Sequence, residues 1–394
     1  MNEKMKAPFR TFILFLTILT ICGVTIKCSA SAARRSVWLR IADQAVTDKT
    51  VEIDLSNASA EELSLFIKTL PDLKALQTVD LGKGDGEDPA ISWETIETIE
   101  KSRPDLVVKY TFTIRKYRFD LQDECLNLNH IRFDDGGALA VKIAKCMPNL
   151  KTLDMDSCGV ADEDMSEIRD LFPDVHVVWR VFFGRAYSAR TDADRLMISN
   201  PAKNLYDDLD DQALKGLYYC NEVKYLDLGH LYKLTDVGYV ANMPELEVLI
   251  IAMTGIKRID PLANCHHLNY LEFQTSAACD LTPLKNLKEL RDLNICYNFA
   301  LRSIEPIMDL ELDRLYIGCL TPVSPDQINE YRERHPDCIV NTTTYDPTAG
   351  GWRSISTGAA PRYAQLRLEM QYDTNPLCYA YNENDRKYAY RFEY

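Results

Sequence analysis

A six-residue pattern, leucine-x-x-leucine-x-leucine or a close apolar equivalent, returns at a constant interval through the second half of this 394-residue chain. Four copies begin 22 residues apart, at Leu246, Leu268, Leu290 and Leu312. Self-similarity at a fixed period of roughly 20 to 50 residues is the signature of stacked repeats, in which each unit buries its apolar face against its neighbours. The alternating apolar residues predict one short strand per copy, because successive strand side chains point to opposite faces.

A cysteine and two histidines, Cys265, His266 and His267, stand side by side within this pattern and suggest a metal site. Cys265 lies three residues before Leu268, in a column where the neighbouring copies have methionine or leucine. The two histidines fall at turn positions that face solvent. Metal sites need ligands that converge in space, so we predict that Cys265 is a core residue and that the triplet binds no metal.

The same pattern continues upstream in longer units. We predict strands at residues 128–133 and 150–155, and helices that precede several strands at residues 59–69, 92–102 and 162–171. A proline followed by an acidic or amide residue introduces many of the strands, because proline ends the preceding helix and the short polar residue turns the chain. These prolines are Pro71, Pro104, Pro148, Pro173, Pro244 and Pro336.

These repeats resemble those of leucine-rich repeat proteins, and residues 223–317 resemble the internalin-type repeat LxxLxLxxNxIxDIxPLxxL of bacterial surface proteins. The resemblance implies an α/β solenoid, with a curved parallel sheet on its concave face and helices and turns on its convex face. In that family the ninth position carries an asparagine ladder. Here that position holds Asn298 once, the small residues Cys158, Thr254 and Ser276, and the leucines Leu231 and Leu320.

We divide the chain into five parts: an export signal at 1–32, an array of longer helix-bearing repeats at 33–182, a connecting or capping segment at 183–222, an internalin-like array at 223–340, and a tyrosine-rich C-terminal cap at 341–394. The connecting segment contains a further candidate strand at 190–198 and an acidic run at 206–211 that suits a helix start. It either separates two arrays or continues one solenoid. A final helix is predicted at 361–371, in a segment that either caps the open end of the array or presents an aromatic recognition patch.

The first 32 residues predict export. Lys4, Lys6 and Arg10 precede an apolar run at 12–26, and small residues at 30–32 offer a cleavage site. The run is shorter than the ~20 residues of a membrane-spanning helix, so a cleaved signal is favoured over an uncleaved anchor, which would be the protein's one membrane contact. The mature protein is then secreted or held at the cell surface. Its ten remaining cysteines are either disulfide-bonded or free.

No motif predicts catalysis, a cofactor or a metal. GxSxG, HExxH and CxxC are absent from the sequence. Residues 154–162 imitate an EF-hand, but Met165 stands where that loop needs a bidentate glutamate. Residues 82–86 lack the spacing of a phosphate-binding loop. The net charge of −14 disfavours nucleic-acid partners, because a phosphate backbone would be repelled. We therefore predict a non-enzymatic binding protein.

The predicted binding surface is formed by the residues between the inward leucines of the second array. In a leucine-rich repeat these side chains line the concave face, and they include an aromatic and aliphatic strip of the kind found in protein interfaces. We expect this surface to bind a protein or a glycan. The alternatives are ordinary solvated strand residues, some of them covered by a flanking domain, and a scaffolding role in the cell envelope exercised through the C-terminal tail. The candidate residues are Tyr225, Asp227, Val248, Ile250, Tyr270, Glu272, Asp292, Asn294, Arg314 and Tyr316.

Overall fold

The structure is a computed structural model, and it describes residues 39–184, 187–198, 209–318, 320–342, 351–353 and 361–370. The predicted export signal and the tyrosines from Tyr372 onward lie outside these residues. Within them, no helix combines the length and the apolar character needed to cross a membrane. The chain divides into two compact units, the first comprising Met1–Asn127 and Asp135–Leu153, the second Leu128–Asp134 and Asp154–Tyr394.

Short strands alternate with helices or helical turns along the described residues. The strands are β1 (Leu39–Ile41), β2 (Gln44–Val46), β3 (Glu52–Asp54), β4 (Thr78–Asp85), β5 (Val107–Ile114), β6 (Tyr117–Asp120), β7 (Cys125–Asn127), β8 (Thr152–Asp154), β9 (His176–Val178), β10 (Arg180–Phe183), β11 (Tyr187–Arg190), β12 (Arg195–Met197), β13 (Tyr225–Asp227), β14 (Val248–Ile250), β15 (Tyr270–Glu272), β16 (Asp292–Asn294), β17 (Arg314–Tyr316) and β18 (Ile339–Asn341). The α-helices are α1 (Ala60–Thr69), α2 (Trp93–Ser102), α3 (Ala138–Ala144), α4 (Asp162–Leu171), α5 (Pro325–Arg334) and α6 (Pro361–Glu369).

The first unit contains a four-stranded sheet in the order β3-β4-β5-β6. The first three strands are parallel, and β6 returns antiparallel to β5. Helix α1 begins where the sequence predicts, because the Ser59 side chain accepts from the Glu62 N–H while the Glu62 carboxylate accepts from the Ser59 N–H. Helix α2 begins similarly at Ser92. The core includes Trp93, which packs edge-on to Phe112 at 5.0 Å between ring centroids.

The second unit contains a seven-stranded parallel sheet that runs in sequence order from β12 to β18. Neighbouring strands pair in the predicted register, so that the inward residues form one fully buried column of Leu226, Leu249, Leu271, Leu293 and Leu315. Strand β12 pairs with β13 through Leu196 and Leu226. The candidate strand at 190–198 therefore belongs to this sheet, which starts upstream of residue 223.

Each coil turns after its strand through a residue in the left-handed region. Each of these residues lies two or three positions after the last inward apolar residue of its coil. They are His230, Met253, Thr275, Tyr297 and Leu320. A backbone of this kind is unfavourable for L-residues and persists only where the surrounding structure requires it. The turn is therefore a fixed part of the repeat.

The polar ladder inside these turns follows the prediction at most positions. Asn298 is fully buried, donates to the Phe273 and Ile295 carbonyls at 3.3 and 3.0 Å, and accepts from the Ser276 hydroxyl at 2.9 Å. Leu320 fails as predicted and is 75% exposed. The next residue takes over its role, because the Thr321 hydroxyl donates to the Ile295 carbonyl at 3.0 Å.

One predicted strand register is wrong. Residues 128–133 do not form the strand; β7 lies at Cys125–Asn127, and its neighbour is β8 at Thr152–Asp154. The equivalent residues Leu126 and Leu153 are 27 positions apart, not 22, because this coil includes an α-helix where the later coils have a single helical turn. Strand β8 and helix α4 agree with the prediction.

Three antiparallel hairpins among the described residues, β1–β2, β5–β6 and β10–β11, were not predicted. Strand β5 is itself the strand that Pro104 introduces, whereas the β10–β11 hairpin follows β9, the strand that Pro173 introduces. The seven-stranded parallel sheet, with its helices and turns, has the architecture of an α/β leucine-rich repeat solenoid. The core column is as predicted at Cys265, which is fully buried, while His266 and His267 are exposed.

Candidate functional site

The ten predicted binding residues form two rows across β13 to β17. One row consists of Tyr225, Val248, Tyr270, Asp292 and Arg314, each in register with the next. The second row consists of Asp227, Ile250, Glu272, Asn294 and Tyr316 in the same register. Both rows lie on the side of the sheet opposite the buried leucine column. We call these two rows the concave face.

The expectation that the concave face is exposed is wrong. Nine of its ten residues are buried, including Tyr270 and Glu272 at 0% exposure, and Tyr225 is half-buried. The cause is a C-terminal strap, which we define as residues 351–353 and 361–370. Strap residues pack on the face in one apolar cluster with Val248, Ile250, Tyr270 and Tyr316.

Apolar contacts anchor the strap at two places. The Trp352 ring is fully buried between Tyr270 and Tyr316, at centroid distances of 5.3 and 4.9 Å. Farther along, α6 and the residue after it bury Tyr363, Leu366 and Met370. Their spacing of three and four residues places them on one helix face. Burial of a large apolar side chain contributes about 1.5–3 kcal/mol, so these four side chains hold the strap firmly.

Glu272 is the polar centre of the contact. Its carboxylate, fully buried, accepts from the Trp352 indole at 3.0 Å and from the Arg353 guanidinium at 2.5 Å. Tyr270 and Gln274 donate to it from the sheet at 3.1 and 3.2 Å. A buried carboxylate is tolerated only when it is paired and hydrogen-bonded, and two strap residues supply that pairing here. Burial disfavours the charged form of Arg353, but the adjacent Glu272 carboxylate keeps the pKa of that guanidinium well above its usual range.

A second charged contact lies beside the first. Arg314 donates from Nε to the Asp292 carboxylate at 2.5 Å and places its guanidinium over the Trp352 ring at 4.3 Å. Arg362 of the strap donates to the Asn269 side chain at 2.6 Å and lies 3.8 Å from Asp292. Burial raises the pKa of Asp292, and the two arginines oppose that shift.

The strap is also held at its helical end. Arg195, on β12, stacks over the Tyr225 ring at 5.5 Å and donates a hydrogen bond to the Glu369 carbonyl. Carbonyls in the last turn of a helix have no partner within the helix, so an arginine here satisfies one of them. Contacts of the strap therefore extend from β12 to β17.

The acidic residues that imitate a calcium loop have arginine partners. Arg180 donates to both Asp156 oxygens at 2.8 and 2.7 Å, and Arg190 donates to Asp154 at 3.1 Å. The Trp179 indole donates to Asp162 at 3.0 Å. Burial opposes the ionised form of Asp156, yet the pKa of this carboxyl is lowered because of the bonds from Arg180. In the part of the chain that the structure describes, no three His, Cys, Asp or Glu side chains are grouped to hold a metal ion.

The sequence interpretation missed the strap residues that complete the site. Helix α6 agrees with the predicted helix at 361–371, but its packing on the concave face differs from a cap over the open end of the array. One signal was available in the sequence. The strap carries Arg353, Arg362 and Arg367 against Glu369 in a chain of net charge −14, beside a spaced set of large apolar residues.

No protein-family model matches the chain, and no curated protein matches it. Similar solved structures include an internalin (inlF) of Listeria monocytogenes, at 15% identity and a TM-score of 0.32, covering 78% of this chain and 87% of that one. A leucine-rich repeat protein of Leptospira interrogans is similar at 15% identity and a TM-score of 0.33, covering 70% and 74%. The functional domain of InlJ from Listeria monocytogenes is similar at 11% identity and a TM-score of 0.30, covering 81% and 73%.

The repeat architecture is evident in the second unit of this chain. Strands β13 to β17 are parallel and share one register, and the leucine column behind them is completely buried. Three of the four strand intervals equal the 22-residue repeat of the sequence. These observations establish that the chain has the leucine-rich repeat fold.

Proposed function

We propose that this chain is an exported, non-enzymatic leucine-rich repeat protein that binds a protein partner through its concave face. The observation that supports the proposal is that the face already holds a polypeptide segment, the strap. It does so with an aromatic pair, Tyr270 and Tyr316, around a buried carboxylate, Glu272. Aromatic anchors at the centre of a desolvated patch are the features that dominate the energetics of protein interfaces.

The occupant of the face favours a protein partner over a glycan. Trp352 and the apolar side of α6 fill the face with large side chains, and Arg353 adds a charge that pairs with Glu272. Among common ligands, polypeptides supply both an apolar anchor and a guanidinium in fixed order. The exclusion of nucleic acid stays a prediction from the net charge.

The test is capture of surface and secreted proteins on immobilised chain 33–394. Trp352→Ala weakens the strap and leaves the face intact, so we expect more partner to be captured than by wild type. Tyr270→Glu places a charge in the centre of the face and should abolish capture. Tyr232→Glu is the matched control, because Tyr232 is 62% exposed and lies outside the face. Circular dichroism of each variant checks folding.

Two outcomes would count against the proposal. Capture that is unaffected by Tyr270→Glu in a folded chain would exclude the concave face. Capture that is lost only when residues 371–394 are removed would instead support the scaffolding role through the C-terminal tail.

A further inference from the structure

The strap and the concave face have opposite chemical character. Of the strap residues that the structure describes, three are arginines and one is glutamate, within a chain whose net charge is −14. The face, considered without the strap, presents the acids Asp227, Glu272 and Asp292 with a single cation, Arg314, among tyrosines and aliphatic residues. Such a face selects an occupant that brings both positive charge and large apolar side chains.

The centre of the face, at Glu272, accepts hydrogen bonds from two consecutive strap residues. Two consecutive strap residues, Trp352 and Arg353, direct an indole N–H and a guanidinium to the same Glu272 carboxylate. The indole ring fits between Tyr270 and Tyr316 and is covered by the Arg314 guanidinium. An aromatic residue without an N–H, or a residue other than arginine after it, would leave a buried oxygen of Glu272 with a poorer partner.

The strap is suited to exchange with another segment. Helix α6 has nine residues, and isolated helices shorter than about 12–15 residues are marginal in water, so its structure depends on docking. Many of the contacts that the strap makes with the face are charged or polar, at Arg353, Arg362 and the Glu369 carbonyl. Because the strap is covalently attached, it competes at an effective concentration of the order of millimolar, so a partner segment that repeats its contacts must gain further affinity from contacts outside the strap site.

We infer that the concave face recognises a tryptophan–arginine pair that is followed by a short, basic amphipathic helix in a partner protein. The partner segment replaces the strap and repeats its contacts with Glu272, Tyr270 and Tyr316. This inference rests on the proposed function and specifies the class of partner.

The experiment uses a fluorescein-labelled synthetic peptide of residues 350–371 as the probe, and fluorescence anisotropy as the measurement. The receptor is the full chain carrying Trp352→Ala and Leu366→Ala, which weakens its own strap without altering the face. We expect the peptide to bind this receptor at least tenfold more tightly than wild type, whose strap competes. A second receptor, with Tyr363→Ala and Met370→Ala, weakens the strap at other residues and should give the same result.

The specific contacts are tested by paired substitutions. Peptides with Trp352→Phe or Arg353→Lys should each bind at least tenfold more weakly to the weakened receptor. Adding Glu272→Gln to that receptor should weaken the wild-type peptide by a similar factor and remove most of the difference between the arginine and lysine peptides. This coupling separates recognition at Glu272 from general charge attraction.

Three results would overturn the inference. The first is equal binding of all the peptides, and the second is indifference to Glu272→Gln in a folded receptor. The third is concentration-dependent dimerisation of the wild-type chain that Trp352→Ala abolishes, because the occupant would then be the strap of a second copy. Peptide binding as expected, with no partner captured by the full chain, would support the recognition chemistry while contradicting the proposed function.

Discussion

The four-stranded sheet and the seven-stranded sheet both contain parallel strands in sequence order, but they differ in what lies on their outer faces. On the four-stranded sheet, Glu52, Asp54, Val107 and Lys109 point away from the core and are exposed. On the seven-stranded sheet, the outward residues of β14 to β17 are buried, and the strap packs on them. The four-stranded sheet therefore has an open outer face, and the seven-stranded sheet has an outer face covered by the strap.

An ion pair on each face makes the difference quantitative. Glu52 and Lys109 are 3.1 Å apart, with side chains 61% and 52% exposed. Glu272 and Arg353 are 2.5 Å apart, with side chains 0% and 24% exposed. Exposed pairs contribute little because water screens them, whereas removing one partner of a buried pair leaves an uncompensated charge. Breaking the buried Glu272–Arg353 pair is therefore expected to cost more free energy of unfolding than breaking the exposed Glu52–Lys109 pair.

The largest effect is expected at the strap tryptophan. Trp352→Ala removes a fully buried aromatic side chain and should weaken strap docking by about 3–5 kcal/mol. Val107→Ala on the open face, where the side chain is 45% exposed, should change stability by less than about 0.5 kcal/mol. Hydrogen exchange of α6 and of β14 to β17 measures the first change, and chemical denaturation the second. Unchanged protection of α6 would mean that the tryptophan does not anchor the strap.

The next effect compares the two glutamates. Glu272→Gln keeps the shape of the side chain but removes the charge that Arg353 needs, and should destabilise the strap by about 2–3 kcal/mol. Glu52→Gln removes the charge from the exposed pair and should cost less than about 1 kcal/mol. Equal losses in denaturation and hydrogen exchange would remove the distinction between the covered and the open face.

A smaller, pH-dependent effect is expected at Glu100, a buried carboxyl in the first unit. Burial raises the pKa of Glu100 to about 7, and its Oε1 has no hydrogen-bond partner among the described residues. A carboxyl with a raised folded-state pKa favours folding below its unfolded pKa, and this contribution is lost as the pH rises toward 7. Glu100→Gln should therefore stabilise the protein by about 1–2 kcal/mol at neutral pH and have no effect near pH 4. Denaturation curves at the two pH values check this, and a constant difference would contradict it.

The smallest effect is expected at the cation of the open face. Lys109→Ala should change the free energy of unfolding by less than about 0.5 kcal/mol, because its partner Glu52 is well solvated. High salt should reduce even that difference, since screening acts most strongly on exposed charges. A loss above 1 kcal/mol in denaturation would show that the open face depends on its ion pair.

Local sequence signals accounted for most of the repeat structure. Helices α1, α2 and α4 and the strands from β13 to β17 follow from the apolar period, the capping serines and the proline signals. These features depend on residues close together in the chain. The β5–β6 and β10–β11 hairpins were missed because their pairing competes with the repeat pattern, and β7 was misplaced because its coil has a different length.

The site was predicted only in part, for a physical reason. The sequence indicated which strand residues share the concave face, but their exposure depends on a segment about 80 residues away, as in the Glu272–Arg353 contact. Tyrosine, valine and isoleucine dominate the outward positions of β13 to β15, whereas the open face has Val107 beside the charged residues Glu52, Asp54 and Lys109. Such apolar outward residues favour a cover, and we infer that they are the sequence signal for one.

The position of the strap near the end of the chain also sets a temporal order. Ribosomes make the array before Trp352 and α6, and domains generally fold as units during synthesis. Until the strap is made, the outward tyrosines and acids of the sheet lack the residues that cover them in the complete chain. Covering the face is therefore the last step for the described part of the chain, and a segment of the same chain carries it out.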